Sequence, residues 1–110
     1  LPRAVLGRIV RDEAAHGVFG WTFLDWALPL LPPEGPALIQ RTAASAIGEV
    51  RRLWEDIRRR PAAPQGAGHE LGWMGTEEYL QLALRSLRTR VLTPFRRRGI
   101  EIALPPDGER

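Results

Sequence analysis

The sequence predicts an all-α fold, a helical bundle of one long helix and two further helices, on three observations. Apolar residues recur every three or four positions through three long segments, the period of one helix face. No segment alternates apolar and polar residues for more than a few positions, so none reads as a half-buried strand. The Pro- and Gly-rich stretches PLLPP and PAAPQGAG fall between the periodic segments and punctuate them.

The first element spans residues 1–31. Pro2 suits a first helical turn, Leu6, Ile9, Val10, Phe23, Leu24 and Ala27 carry the period, Pro29 is placed to kink the last turn, and Pro32-Pro33 ends it. A second helix is expected over residues 36–60, with Ile39, Ala43, Ala46, Val50, Leu53 and Ile57 on one stripe and charged residues opposite. Glu55 and Asp56 stand within reach of Arg58, Arg59 and Arg60, and the closing arginines suit the negative end of the helix dipole. Residues 61–75 read as a loop pinned by Trp73 and Met74. Thr76 reads as the N-cap of a third helix over residues 76–99, with Glu77 and Glu78 in its first turn. Tyr79, Leu80, Ala83, Leu84, Leu87 and Val91 form its apolar face. In the tail, residues 100–110, Ile100 and Ile102 are expected to pack, and disorder is expected from Pro105.

A chain of 110 residues, 44% hydrophobic and 26% charged, has the composition of one small soluble domain. Its pI of about 10.9 overstates its basicity. The net charge is only +3, and all 16 basic residues are arginine, which does not titrate near neutrality. The absence of cysteine excludes disulfides, thiolate metal sites and cysteine nucleophiles. The apolar run from Val18 to Leu31 is interrupted by Asp25 and is shorter than the roughly 20 residues of a membrane span, so no membrane partner is expected. The opening LPRAVLGRIV has neither an initiator Met nor the order of a secretory signal, which predicts a chain that begins inside a longer, cytoplasmic protein.

The chemistry concentrates in RDEAAHGVFGWTFLDW, Arg11 to Trp26. Leu6, Ile9, Glu13, His16, Gly20, Phe23 and Ala27 step by alternating threes and fours and so share one stripe, expected to face inward. An inward carboxylate must be neutral, paired with a cation or bound to a metal, because burying it ionised and alone is too costly. The i, i+3 spacing lets an oxygen of Glu13 and a nitrogen of His16 converge on one point beside the helix, a metal-ligand geometry. Oxygen and nitrogen donors without thiolate suit iron, manganese or zinc. The plainer alternative is that Glu13 pairs with an arginine from a neighbouring helix. Small residues at Ala14, Ala15, Gly17 and Gly20 would let other helices come close.

RDEAAH, followed by GVFGW and LDWAL, resembles the fourth core helix of ferritin-like di-metal carboxylate proteins, in particular bacterial ferritin-like domain proteins. The Asp-Glu-x-x-His form is also similar to that helix in the radical-generating subunit of ribonucleotide reductase. The resemblance covers roughly Ile9 to Leu28, and so only the C-terminal part of such a bundle. It implies a ligand set of one Glu from each of two helices and a Glu-x-x-His from each of two others. Glu13 would then be a bridging or terminal carboxylate ligand, His16 a terminal ligand, and Asp12 an acid that orients the histidine of the partner motif. The cofactor implied is a di-iron or di-manganese centre with oxidase, oxygenase or metal-handling activity. No second Glu-x-x-His follows, and His69 lies in the loop, so the centre is incomplete in this chain and the chain by itself is expected to be inactive. The missing ligands would come from helices upstream of Leu1 or from a second copy, and a homo-oligomer is expected.

Two other readings compete. Arg51-Arg52, Arg58 to Arg60 and Arg96 to Arg98, with Trp54 and Phe95 nearby, have the residue types of a nucleic-acid face. The low net charge and the acids mixed through the same faces argue instead for a solvated surface, so no nucleic-acid partner is expected. The second is a metal-free helical module for packing or oligomerisation. Trp21, Trp26 and Trp54 read as core and interface fillers, and loop-borne Trp73 as a gate. Because missing helices would cover Phe19, Phe23 and Trp26, the chain alone is expected to self-associate or fold poorly.

Overall fold

The computed structural model describes residues 2–61 and 74–104, and among these every regular element is helical. Helix α1 runs Pro2–Ala27 and passes into a 3-10 turn over Leu28–Leu30. Helix α2 is Gly35–Arg59, α3 is Thr76–Leu87, and a π-helical turn over Arg88–Leu92 joins α3 to α4, Thr93–Arg97. The all-α expectation holds. The chain divides into two compact units, Leu1–Pro36 and Ala37–Arg110. Trp73, His69, most of the expected loop and the tail from Pro105 lie outside the described residues.

In the first unit, proline sets the end of α1. Pro29 has no N–H with which to continue the i to i−4 ladder, and the chain tightens into the 3-10 turn closed by Leu31 N–H donating to the Leu28 carbonyl at 3.3 Å. Pro32 then accepts from Gly35 N–H at 2.8 Å, which turns the chain into α2. Gly35 is buried there, and a Cβ at this position would lie 2.7 Å from Leu31 Cβ. Only glycine lets the two segments approach so closely.

The second unit holds the buried core, Ile47 of α2, Leu80 and Leu87 of α3, and Ile100 and Ile102 beyond α4. The α3 face follows the sequence reading except at Tyr79, which is exposed: Ala83 and Leu84 are half-buried between the buried Leu80 and Leu87, and Val91 is half-buried in the turn that follows. On α2, Ile39, Ala43 and Ile57 of the expected stripe are half-buried, but the middle of the stripe is displaced by one position. Ile47 is buried and Trp54 half-buried, while Ala46, Val50 and Leu53 are exposed. Thr76 is the first helical residue of α3 and Gly75 the extended residue before it, so the expected threonine cap is replaced by a glycine without a side-chain bond.

The expected single helix over residues 76–99 contains a wide turn with a local cause. Pro94 cannot donate to the carbonyl one turn back, and its ring would collide with it. One extra residue in the turn relieves both problems: Thr93 N–H reaches the Arg88 carbonyl, five residues back, and the Thr93 hydroxyl donates to the same oxygen at 2.9 Å. The helix then ends on Gly99, at φ 79°. Gly99 N–H donates to the Arg96 carbonyl at 2.9 Å and Ile100 N–H to the Phe95 carbonyl at 3.0 Å, the paired bonds of a Schellman end. This end swings Ile100 into the core. Gln40 of α2 donates to the Glu101 carbonyl and holds the following strand of chain in place.

Gly35→Ala is expected to destabilise the fold by about 1–3 kcal/mol, the usual cost of forcing an atom into a filled site. Gly48→Ala, where a Cβ meets nothing within 4 Å, should be neutral or stabilise by up to about 1 kcal/mol through helix propensity. Urea denaturation followed by helical circular dichroism compares the two.

Candidate metal-ligand pair on α1

Glu13 and His16 lie midway along α1, one turn apart on the same side of the helix. His16 Nδ1 is 3.9 Å from Glu13 Oε2. That separation is long for a direct hydrogen bond but lets both donor atoms turn to a shared point outside the helix. Their side chains are 77% and 72% exposed, so both are free to meet a ligand or a partner.

The stripe expected to face inward is therefore exposed from Leu6 to Phe23, and only Ala27 at its end is half-buried. Leu6, Ile9 and Phe23 are each more than half exposed, as are Val10, Val18, Phe19 and Trp26 on the adjoining faces. The reason is that the unit carrying α1 contains, besides it, only the turn into α2 and no second complete helix to lie over that face. Trp21 and Leu24 are half-buried, and the Phe23 and Trp26 rings lean on each other at 5.6 Å between centroids. Trp26 is thus an exposed aromatic, not a core filler within this unit.

Among the described residues, no three side chains of the His, Cys, Asp and Glu types converge as a metal site. Asp12 is exposed on the turn that carries Glu13. The chain offers one oxygen and one nitrogen donor at this point, where zinc takes four ligands and iron or manganese commonly takes more, so a metal bound tightly here needs donors from another helix. The donor chemistry fits a divalent transition metal. The donor count does not complete its shell.

The arginine clusters are partly neutralised within the second unit. Arg59 approaches Glu55 at 3.5 Å and Asp56 at 3.8 Å, and Arg96 Nε lies 3.1 Å from Glu101 Oε2. Arg98 donates to the Pro94 carbonyl at 2.9 Å. A groove of about 380 Å³ between the π-helical turn and the following chain is lined by Arg88, Thr93, Arg96, Glu101 and Ile102, among others. This groove is not legible in the sequence, because it exists only through the π turn and the Schellman end that bring residues 88–93 and 101–104 together. No described helix is long and apolar enough to cross a membrane.

No protein-family model matches the chain, and neither a curated protein nor a solved structure matches it significantly. The class defined by the fold and the site is an all-α protein with an exposed Glu-x-x-His pair on an apolar helix face.

Added Zn²⁺ is expected to raise the helical circular-dichroism signal of the chain by bridging Glu13 and His16 across one turn, and to broaden the His16 imidazole resonances. Glu13→Gln should abolish both responses; an unchanged response in that variant would assign the effect to His69 or to nonspecific binding.

Proposed function

We propose that this chain is the ligand-bearing C-terminal part of a ferritin-like di-metal protein, to which α1 contributes one carboxylate and one imidazole. One observation carries the reading: Glu13 Oε2 and His16 Nδ1 stand 3.9 Å apart on the exposed apolar face of a 26-residue helix. A solvated surface helix gains nothing from flanking such a pair with Ile9, Phe19 and Phe23. A helix that packs into a bundle around a metal needs both the apolar flanks and the inward donors.

In the assembled protein, Glu13 supplies an anionic oxygen that offsets metal charge, and His16 supplies a neutral nitrogen that fixes one coordination position. Asp12, on the adjoining position, orients a histidine from a neighbouring helix by accepting its second ring N–H. The apolar flanks exclude water and so strengthen every charge interaction at the site. A di-iron or di-manganese centre, when bound, supplies redox chemistry of the oxidase, oxygenase or metal-handling kind. The protein is cytoplasmic and homo-oligomeric in this reading.

Replacing Glu13 by Gln and His16 by Ala in the full-length gene product that carries this sequence tests the proposal. Each change should lower bound iron or manganese, and its cost in stability should shrink when a chelator is present. Unchanged metal content in both variants, with Glu13→Gln equally stable with and without chelator, would favour a metal-free packing module.

A further inference from the structure

The groove beside the π-helical turn owes its lining to a change of helical register. In an uninterrupted α-helix, at about 100° per residue, Thr93 would stand about 140° round the axis from Arg88, and Arg96 about 80°. The one extra residue of the turn, marked by Thr93 N–H reaching the Arg88 carbonyl, sets that register back by a step. Thr93 then stands about 40° from Arg88 and Arg96 about 20° to its other side, so the three share one face and line one groove. Along the axis Arg88 and Arg96 are roughly 10 Å apart, a span that two arginine side chains can close on a single group between them.

The opposite wall limits what that group is. Glu101 accepts from Arg96 Nε through both carboxylate oxygens, at 3.2 and 3.1 Å, and its own carbonyl is tied to α2 by Gln40. Arg96 is thereby held with its two terminal nitrogens uncommitted, and among the described residues the Arg88 side chain makes no hydrogen bond or ion pair. The charged side chains of the lining, Arg88, Arg96 and Glu101, sum to +1, which matches a monoanion. A dianion would set its second charge, unmatched, against the Glu101 carboxylate. The rest of the lining is largely apolar: half-buried Leu92 and Leu104 and buried Ile102 border a space of about 380 Å³, at the small end of ligand sites of roughly 300–1,000 Å³.

We propose that this groove binds a small amphipathic monocarboxylate, its carboxylate held by Arg88 and Arg96 and its apolar chain laid along Leu92, Ile102 and Leu104. Guanidinium forks match the two oxygens of a carboxylate. The Thr93 hydroxyl is committed to the Arg88 carbonyl at 2.9 Å, so it holds the wide turn and leaves recognition to the arginines. The site lies wholly within the second unit and does not depend on Glu13 or His16.

Hexanoate, hexanol and hexyl phosphate, titrated separately onto the chain at pH 8, where the phosphate is dianionic, and followed by NMR, test the assignment. Hexanoate should bind one to one, shift the Thr93 amide and the Arg88 and Arg96 Nε resonances, and bind more tightly than either of the others. Arg88→Gln should weaken hexanoate by about tenfold or more, the lower end for losing a hydrogen bond to a charged group. Its helical circular dichroism should stay unchanged, because the Arg88 side chain makes no bond among the described residues. Arg90→Gln, on the same turn but outside the groove lining, should leave binding unchanged. Glu101→Gln, which raises the charge of the groove to +2, should narrow or reverse the preference over hexyl phosphate. Absence of saturable hexanoate binding, equal affinity for hexanol, or equal losses in Arg88→Gln and Arg90→Gln would overturn the proposal. So would a native chain that prefers hexyl phosphate, or a Glu101→Gln chain whose preference is unaltered.

Discussion

Helix α1 leaves uncovered the apolar surface that would normally stabilise a helix of its length, and the behaviour of the first unit follows from this constraint. An isolated helix is marginal in water, since nucleation is costly and propagation contributes little per residue. Packing of an apolar face usually supplies the difference. Here Val5, Leu6, Ile9, Val10, Val18, Phe19, Phe23 and Trp26 are all more than half exposed. Covering even part of each, at about 1 kcal/mol per side chain, amounts to something on the order of 8 kcal/mol, comparable with the whole stability of a small domain. Another helix laid on α1 would therefore decide whether that helix is firmly formed.

The second unit is organised differently. Its helices are interrupted at places dictated by single residues, and those interruptions create the core. Pro94 forces the π turn, Gly99 ends the helix in the left-handed region, and the resulting change of direction buries Ile100 and Ile102. Five buried hydrophobic side chains among the described residues are a small core, so bonds such as that from the Gln40 side chain to the Glu101 carbonyl contribute a larger share of its definition than they would in a bigger domain.

Glu13 and His16 link these two themes of burial and chemistry. On an exposed helix they are two ordinary polar residues. Were the face covered, the carboxylate would become expensive unless a cation met it. In the proposed reading, assembly and metal binding would then be one event.

The sequence by itself determined what is local. The helical period, the proline breakers at Pro29 and Pro32, most of the apolar face of α3 and the one-turn convergence of Glu13 with His16 were legible, because each depends on residues within about five positions of one another. The tertiary structure decided which faces are covered. It turned the buried side of α2 toward Ile47 and Trp54, opened the π turn before Pro94, replaced the expected Thr76 cap by Gly75, and left the α1 stripe exposed. Periodicity states that a helix has an apolar side; whether anything lies against that side depends on the rest of the assembly, which no local pattern records.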